Sequence, residues 1–384
     1  MPIPVPPAPA RFVALDELRA LAVFSMCIAH FAPGMVERFS WLQPYGDGIG
    51  IVGRLSTVAF VVCFGLTLGF IQFPRYLAGR AAQVHQWLLG RSKLLTLCIL
   101  VASGPGYLAL ASNGVDDGLS TWLWQTYGVL NFYVLAMLSG PLWFWMLRRD
   151  TAMRAVLLSA IHWMAYALLI EKWPQHDDAP FLEFARLNLA SGGYAYLPLA
   201  AVSLLAIPVG IWSRQRCDVG DVAKIVSTCT WAGSLLAAGG YGLGLMTDMS
   251  AHAIAEGSVK GPARLWYWAL FSGATVLLFA VLAKAHLARP RLQERTRYVA
   301  LFGQSALGVF TLHAWVLPIV GWSDRWVVTT GAARAALALI VFMSFCGAAM
   351  LWYERKNRRR PVASPPPGRR AHVPLRRVQA VAAA

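Results

Sequence analysis

Apolar stretches of about twenty residues recur along this whole chain, and they limit what it can fold into more than any motif does. The 384 residues are 57% hydrophobic and only 14% charged. Such runs in such a composition describe an integral membrane protein rather than a string of soluble domains. Their periodicity and punctuation predict an all-α, polytopic fold of about ten helices. These fall at 12–33, 49–71, 94–111, 127–147, 153–170, 195–213, 223–247, 265–287, 299–320 and 332–353. The membrane domain is then 12–353, flanked by a short Pro-rich tail at 1–11 and a basic tail at 354–384. The opening MPIPVPPAPARF has no basic stretch leading into an apolar core with a small-residue cleavage site, so it reads as a tail and not as a signal peptide.

Charge fixes the expected orientation. Of the 34 Lys and Arg residues, 25 fall in segments on one side of the ten spans, seven in the loops on the other side, and two, Arg19 and Arg54, inside spans. Lys and Arg concentrate on the cytoplasmic side of membrane proteins, so both termini are expected there. The net charge of +16 is therefore a property of one face, suited to anionic lipid. A nucleic-acid partner is not expected, because no aromatic interleaving or folded module accompanies the basic tail. That tail, ERKNRRRPVASPPPGRRAHVPLRR, has almost nothing to bury and reads as disordered. The inner segment RYLAGRAAQVHQWLLGRSK is amphipathic enough to lie along the membrane surface.

Six cysteines are present with no CxxC pair, which argues for small core residues rather than a disulfide framework or zinc site. His176-Asp177-Asp178 lacks a second ligand set, so no metal is expected. GIGIVG at 48–53 has the spelling of a dinucleotide loop, but it follows no strand and opens a span; close helix packing accounts for its glycines better. No P-loop, GxSxG or HExxH stretch occurs.

The chemistry concentrates in LDELRALAVFSMCIAHFAP, residues 15–33. Arg19 and His30 are eleven residues apart, which on a helix places them on one face and about 16 Å apart along the axis. Ionisable groups within a span are expensive and face partners or cavities. Asp16, at i−3 from Arg19, is placed to pair with it. Arg54 has no carboxylate within one turn, which makes it a ligand candidate. His313 and His162 lie in apolar helices, where a lone histidine is more often a hydrogen-bonded core residue than a catalyst. A histidine beside a membrane-embedded cavity suits general-base catalysis, because imidazole titrates near neutral pH. A basic inner face suits a phosphate-bearing donor. The residues themselves leave two readings open: an enzyme with its donor inside and its acceptor outside, or a transporter or flippase for an anionic glycolipid or acylated sugar, with Arg19, Arg54 and His30 along its path. Transporters often carry repeated halves, and no repeat is found.

LDELRALAVFSMCIAH resembles the first helix of the membrane acyltransferase-3 family, whose pattern runs close to LDGLRALAVLLVVLFH around Arg-x10-His. Glu17 stands where that pattern has glycine. FVVCFGL resembles the family's FFVLSGF, with Phe64 in place of serine. GRSKLL resembles the basic stretch before its third helix, FGQSALGVFTLH its late LGRISYxLYLLH segment, and LWYERKNRR its closing Glu-Arg piece. The related periplasmic-glucan succinyltransferases share Arg-x10-His, and YGVLNFYVLAMLSGPLWFWMLRR is similar to their fourth helix, although Ala29 stands where they have Asp. The resemblance implies a multi-pass enzyme of the bacterial inner membrane. It would move an acyl group from cytoplasmic acyl-CoA to a hydroxyl of an extracytoplasmic glycan or lipid-linked sugar. His30 would be the base or a transient acyl carrier, and Arg19 would hold the donor or orient the site. Arg91 and Lys93 would bind the acyl donor, and Arg54, the cation without a nearby carboxylate, is expected to join them. Acyl-CoA enters as a substrate, and no other cofactor is implied.

Overall fold

The computed structural model describes residues 12–38, 40–112, 118–175, 179–247, 249–289, 291–313, 315 and scattered positions between 340 and 355. Among them every regular element is helical. Helices satisfy their backbone groups within the segment, which hydrocarbon demands of anything that crosses it. Helix α1 is Val13–Arg38 and α2 is Gly46–Thr67; α2 runs through a π-helical turn, Leu68–Gln72, into α3, Phe73–Leu77. Next come α4 (Ala81–Ser112), α5 (Leu119–Thr126), α6 (Val129–Leu147) and α7 (Thr151–Lys172). Then α8 (Pro180–Arg186), a π-helical turn at Leu187–Ser191, α9 (Tyr196–Asp218), α10 (Val222–Leu245) and α11 (Ala251–Glu256) follow. The last labelled elements are α12 (Leu265–Ala288), α13 (Leu292–Arg295) and α14 (Arg297–Gln304); after a turn at Ser305 the chain is helical again over 306–313.

Seven helical stretches among the described residues are long and apolar enough to cross a membrane: Gln43–Leu77, Ala81–Leu108, Val129–Leu147, Thr151–Lys172, Pro180–Asp218, Val222–Leu245 and Leu265–Ala288. They coincide in order with the second to eighth expected spans. The expected tenth span lies mostly outside the described residues, as do both tails.

Several boundaries differ from the sequence reading, among them the ninth expected span, 299–320, which is broken by the turn at Ser305. Most of the amphipathic segment expected to lie along the membrane surface, 81–93, is the first part of α4 and is continuous with the third span, while its start, 75–77, closes α3. No proline separates segment from span, since Pro105 comes late, and the helix runs on through Gly90. At 1.5 Å per residue this helix is about 48 Å long, longer than the roughly 30 Å hydrocarbon layer. The long loop at 171–194 holds α8 and a π-helical turn, fixed where Arg186 forks onto both oxygens of Glu183, at 2.8 and 2.6 Å. The loop before the eighth span holds α11, capped by the Ser250 side chain, which accepts from the Ala253 N–H at 3.0 Å.

Side-chain contacts fix how the helices run. Arg19 of α1 reaches Thr67 of α2, while Gly53 of α2 lies against Ala29 of α1, so the two are antiparallel. On the parallel pair α2 and α9, the Ser203 hydroxyl donates to the Val61 carbonyl at 3.2 Å, and Gly210 packs against Leu66. Gly233 and Gly273 face each other across antiparallel α10 and α12. Small residues at these crossings let backbones touch, as association within lipid requires. The core is built on Leu18, Val58, Phe64, Phe132, Leu204 and Tyr267, all buried. Helices α7 and α10 expose apolar side chains such as Met153, Leu157, Trp231 and Leu235.

Candidate functional site

Two polar clusters occupy opposite ends of α1. At its start, Arg19 donates to Asp16 Oδ1 at 2.7 Å and to the Thr67 hydroxyl of α2. Gln304 of α14 donates to Asp16 Oδ2 at 3.3 Å. Helix α14 comes this close because Gly303 lies directly on the Asp16 carbonyl, where a Cβ would have no room. Glu17, 2% exposed, takes a different partner: His286 Nε2 lies 2.8 Å from its Oε2, while its Oε1 is buried without a hydrogen bond. The pairing of Asp16 with Arg19 is the local one expected. The Glu17–His286 pair joins residues 269 positions apart, and no spacing rule announces it.

At the other end, His30 lies on α1 with its ring centroid 4.9 Å from that of His313, the planes tilted by 49°. Beside His30, Gly53 lets α2 touch α1 at Ala29. His30 is exposed and has no hydrogen bond within the described residues. His313 is buried, at 5% exposure, and its Nδ1 bonds to the Phe310 carbonyl. A carbonyl only accepts, so Nδ1 carries the proton, and in the neutral ring Nε2 keeps a free lone pair. The core reading of His313 explains its Nδ1 bond and omits its place against His30. Depth gives a partial signal: His313 is fourteen residues past the start of the ninth span, about 21 Å along, and His30 eighteen past the start of the first, about 27 Å, so both fall toward the same end.

Two cations share this end. His30 lies within electrostatic reach of His313, Lys260 and Arg54. Arg54 Nε donates to the Ala255 carbonyl at 2.8 Å and its Nη2 to the Glu256 carbonyl at 2.7 Å, so it caps the C-terminus of α11. The free carbonyls at a helix end are the negative end of its dipole and balance this guanidinium. His252 of α11 bonds to Asp47 of α2 at 3.1 Å and lies 3.0 Å from Glu256. The bond to Asp47, with the nearby Glu256 and Asp47 charges, raises its pKa. Lys260, between α11 and α12, is 7% exposed. Its Nζ donates to the Thr57 hydroxyl at 3.3 Å and stands 4.3 Å above the Tyr194 ring. Tyr194 is held in turn by its N–H donating to the Tyr127 hydroxyl at 2.8 Å.

The structure brings His30, His313, Lys260 and Arg54 together. Arg19 stays at the opposite end of α1, in the Asp16 cluster. The proposed donor set is divided as well: Arg54 lies at the His30 end, whereas Arg91 and Lys93 are exposed on α4, Arg91 stacked 5.6 Å over Trp87. A cavity of about 560 Å³ between α2, α7, α9, α10 and α12 is lined by Val62, Leu66, Trp163, Trp212 and similar residues and holds none of these charged groups. Among the described residues no group of three or more His, Cys, Asp or Glu is placed to hold a metal.

Comparison with protein-family models, with curated proteins and with solved structures finds no match to this chain. Its apolar crossing helices define it as a polytopic α-helical membrane protein.

Proposed function

We propose that this chain is an O-acyltransferase of the kind its first helix resembles, moving an acyl group from acyl-CoA to a hydroxyl of an extracytoplasmic glycan or lipid-linked sugar. The reading is carried by His30, an exposed imidazole with no hydrogen bond within the described residues, set against the buried His313 at one end of the bundle. An imidazole with an unengaged nitrogen is a general base. In the proposed reaction His30 takes the proton of the acceptor hydroxyl as its oxygen attacks the thioester carbonyl. The tetrahedral intermediate then collapses, the carbon–sulfur bond breaks, and the imidazolium returns the proton to the leaving thiolate. His313, its tautomer set by Phe310, orients His30. Arg19 acts at a distance, by fixing α1 against α2 and α14. Arg91 and Lys93 take the phosphates of the donor at the other end of the bundle, and the pantetheine arm spans the distance between. Membranes carrying the chain, incubated with labelled acetyl-CoA, are expected to put label into envelope glycan; a chain that labels no glycan or lipid-linked sugar is not this enzyme.

A further inference from the structure

Lys260 lacks what several other cations of the described residues have. Lys172 lies 2.7 Å from Glu171, and Arg186 forks onto Glu183. Arg54 is balanced by the carbonyls ending α11. Lys260 is buried, yet its contacts are one hydroxyl, Thr57, and one aromatic face, Tyr194. It has no carboxylate within ion-pair distance among the described residues. An ammonium has three donors, so two are left over. A buried charge without a counter-charge is costly, and chains keep one where a ligand supplies the missing charge. The position adds to this. By the basic-residue distribution Lys260 sits on the side that membrane proteins keep poor in Lys and Arg. His30, the group proposed to activate the acceptor, lies within its electrostatic reach.

We infer that Lys260 is a specificity residue: it binds an anionic oxygen group, phosphate or carboxylate, carried by the acceptor sugar, and so brings that sugar's hydroxyl to His30. The inference rests on the acyl-transfer reading for the identity of the acceptor, but the binding itself does not require transfer. Thr57 and Tyr194 hold the ammonium in place, and Tyr127 holds Tyr194. A neutral sugar leaves the charge uncompensated and binds more weakly.

The test uses the full chain in lipid nanodiscs and follows thermal unfolding with three probes: glucose 1-phosphate, glucuronic acid and glucose. At least one of the two anions is expected to raise the melting temperature of the wild type, and glucose is not; which anion does so separates a phosphate from a carboxylate source. Lys260→Met is expected to lose that shift and Lys260→Arg to keep most of it. Without ligand, Lys260→Met is expected to melt at or above the wild-type temperature, because it removes an uncompensated buried charge. Thr57→Val, which leaves the ammonium but frees it, is expected to weaken the shift. The inference is overturned if neither anion shifts the wild type, if Lys260→Met keeps the shift, or if that variant without ligand melts well below the wild type. Each readout is independent of acyl transfer, so loss of the transfer reading and loss of this one are separate results.

Discussion

Individual side chains show which interactions a sequence announces. Asp16 and Arg19 are one helical turn apart, and the local geometry that makes them meet is the same in any helix. Glu17–His286 and Lys260–Thr57 join residues 269 and 203 positions apart, so only the packed bundle defines them. Arg54 was legible as a cation in need of partners; that the partners are the backbone of α11 was not, because α11 itself is six residues in what reads as a loop. His252 allows a test at this scale. Its pKa is raised in the folded protein, above an ordinary value near 6.5, chiefly by the bond to Asp47. The sign follows: the contribution to stability is complete below the unfolded value and is lost as pH rises through the higher folded one. The pair is exposed, so the effect is small. Titration of His252 by NMR is expected to show the raised value in the wild type and a return toward 6.5 in Asp47→Asn; an unchanged value in that variant would remove Asp47 as the cause.

Whole elements were more legible than their ends. Seven expected spans appear as apolar helices in the expected order, because a run of apolar residues reports its burial in lipid directly. The departures have a common cause: amphipathic or short helical pieces lack that signal. Ala81–Lys93 became part of α4, and 180–191 became α8 and a π-helical turn. The length of α4 bears on the donor. A helix of about 48 Å carries Arg91 and Lys93 on its own first half, presented rigidly rather than on a mobile loop. Replacing both with Gln is expected to raise the KM for acyl-CoA severalfold with little change in kcat, since contacts to a remote phosphate act equally on ground and transition states. Steady-state kinetics with varied acyl-CoA checks this; a fall in kcat at constant KM would place the donor elsewhere.

For the molecule as a whole, the antiparallel and parallel contacts among α1, α2, α9, α10 and α12 fix how these helices alternate, and the orientation expected from the basic-residue asymmetry is open to test. In a background without native cysteines, a cysteine at Lys172, exposed at the end of α7, is expected to react with an impermeant thiol reagent in intact spheroplasts. A cysteine at Val219, exposed beyond α9, is expected to react only after lysis. The reverse pattern would invert the molecule and put His30 on the donor side.

The central claim is that His30 is the base for acyl transfer. The residue is exposed and has no hydrogen bond within the described residues, and its ring lies against that of His313. General-base catalysis is typically worth about 10² to 10⁴ in rate. The deciding measurement is glycan acylation in cells whose sole copy of the chain carries His30→Ala, with the membrane level of the protein checked by immunoblot. Acylation is expected to fall by about 10² or more while the protein stays at near-normal level. Normal acylation by a normally expressed His30→Ala protein would contradict it.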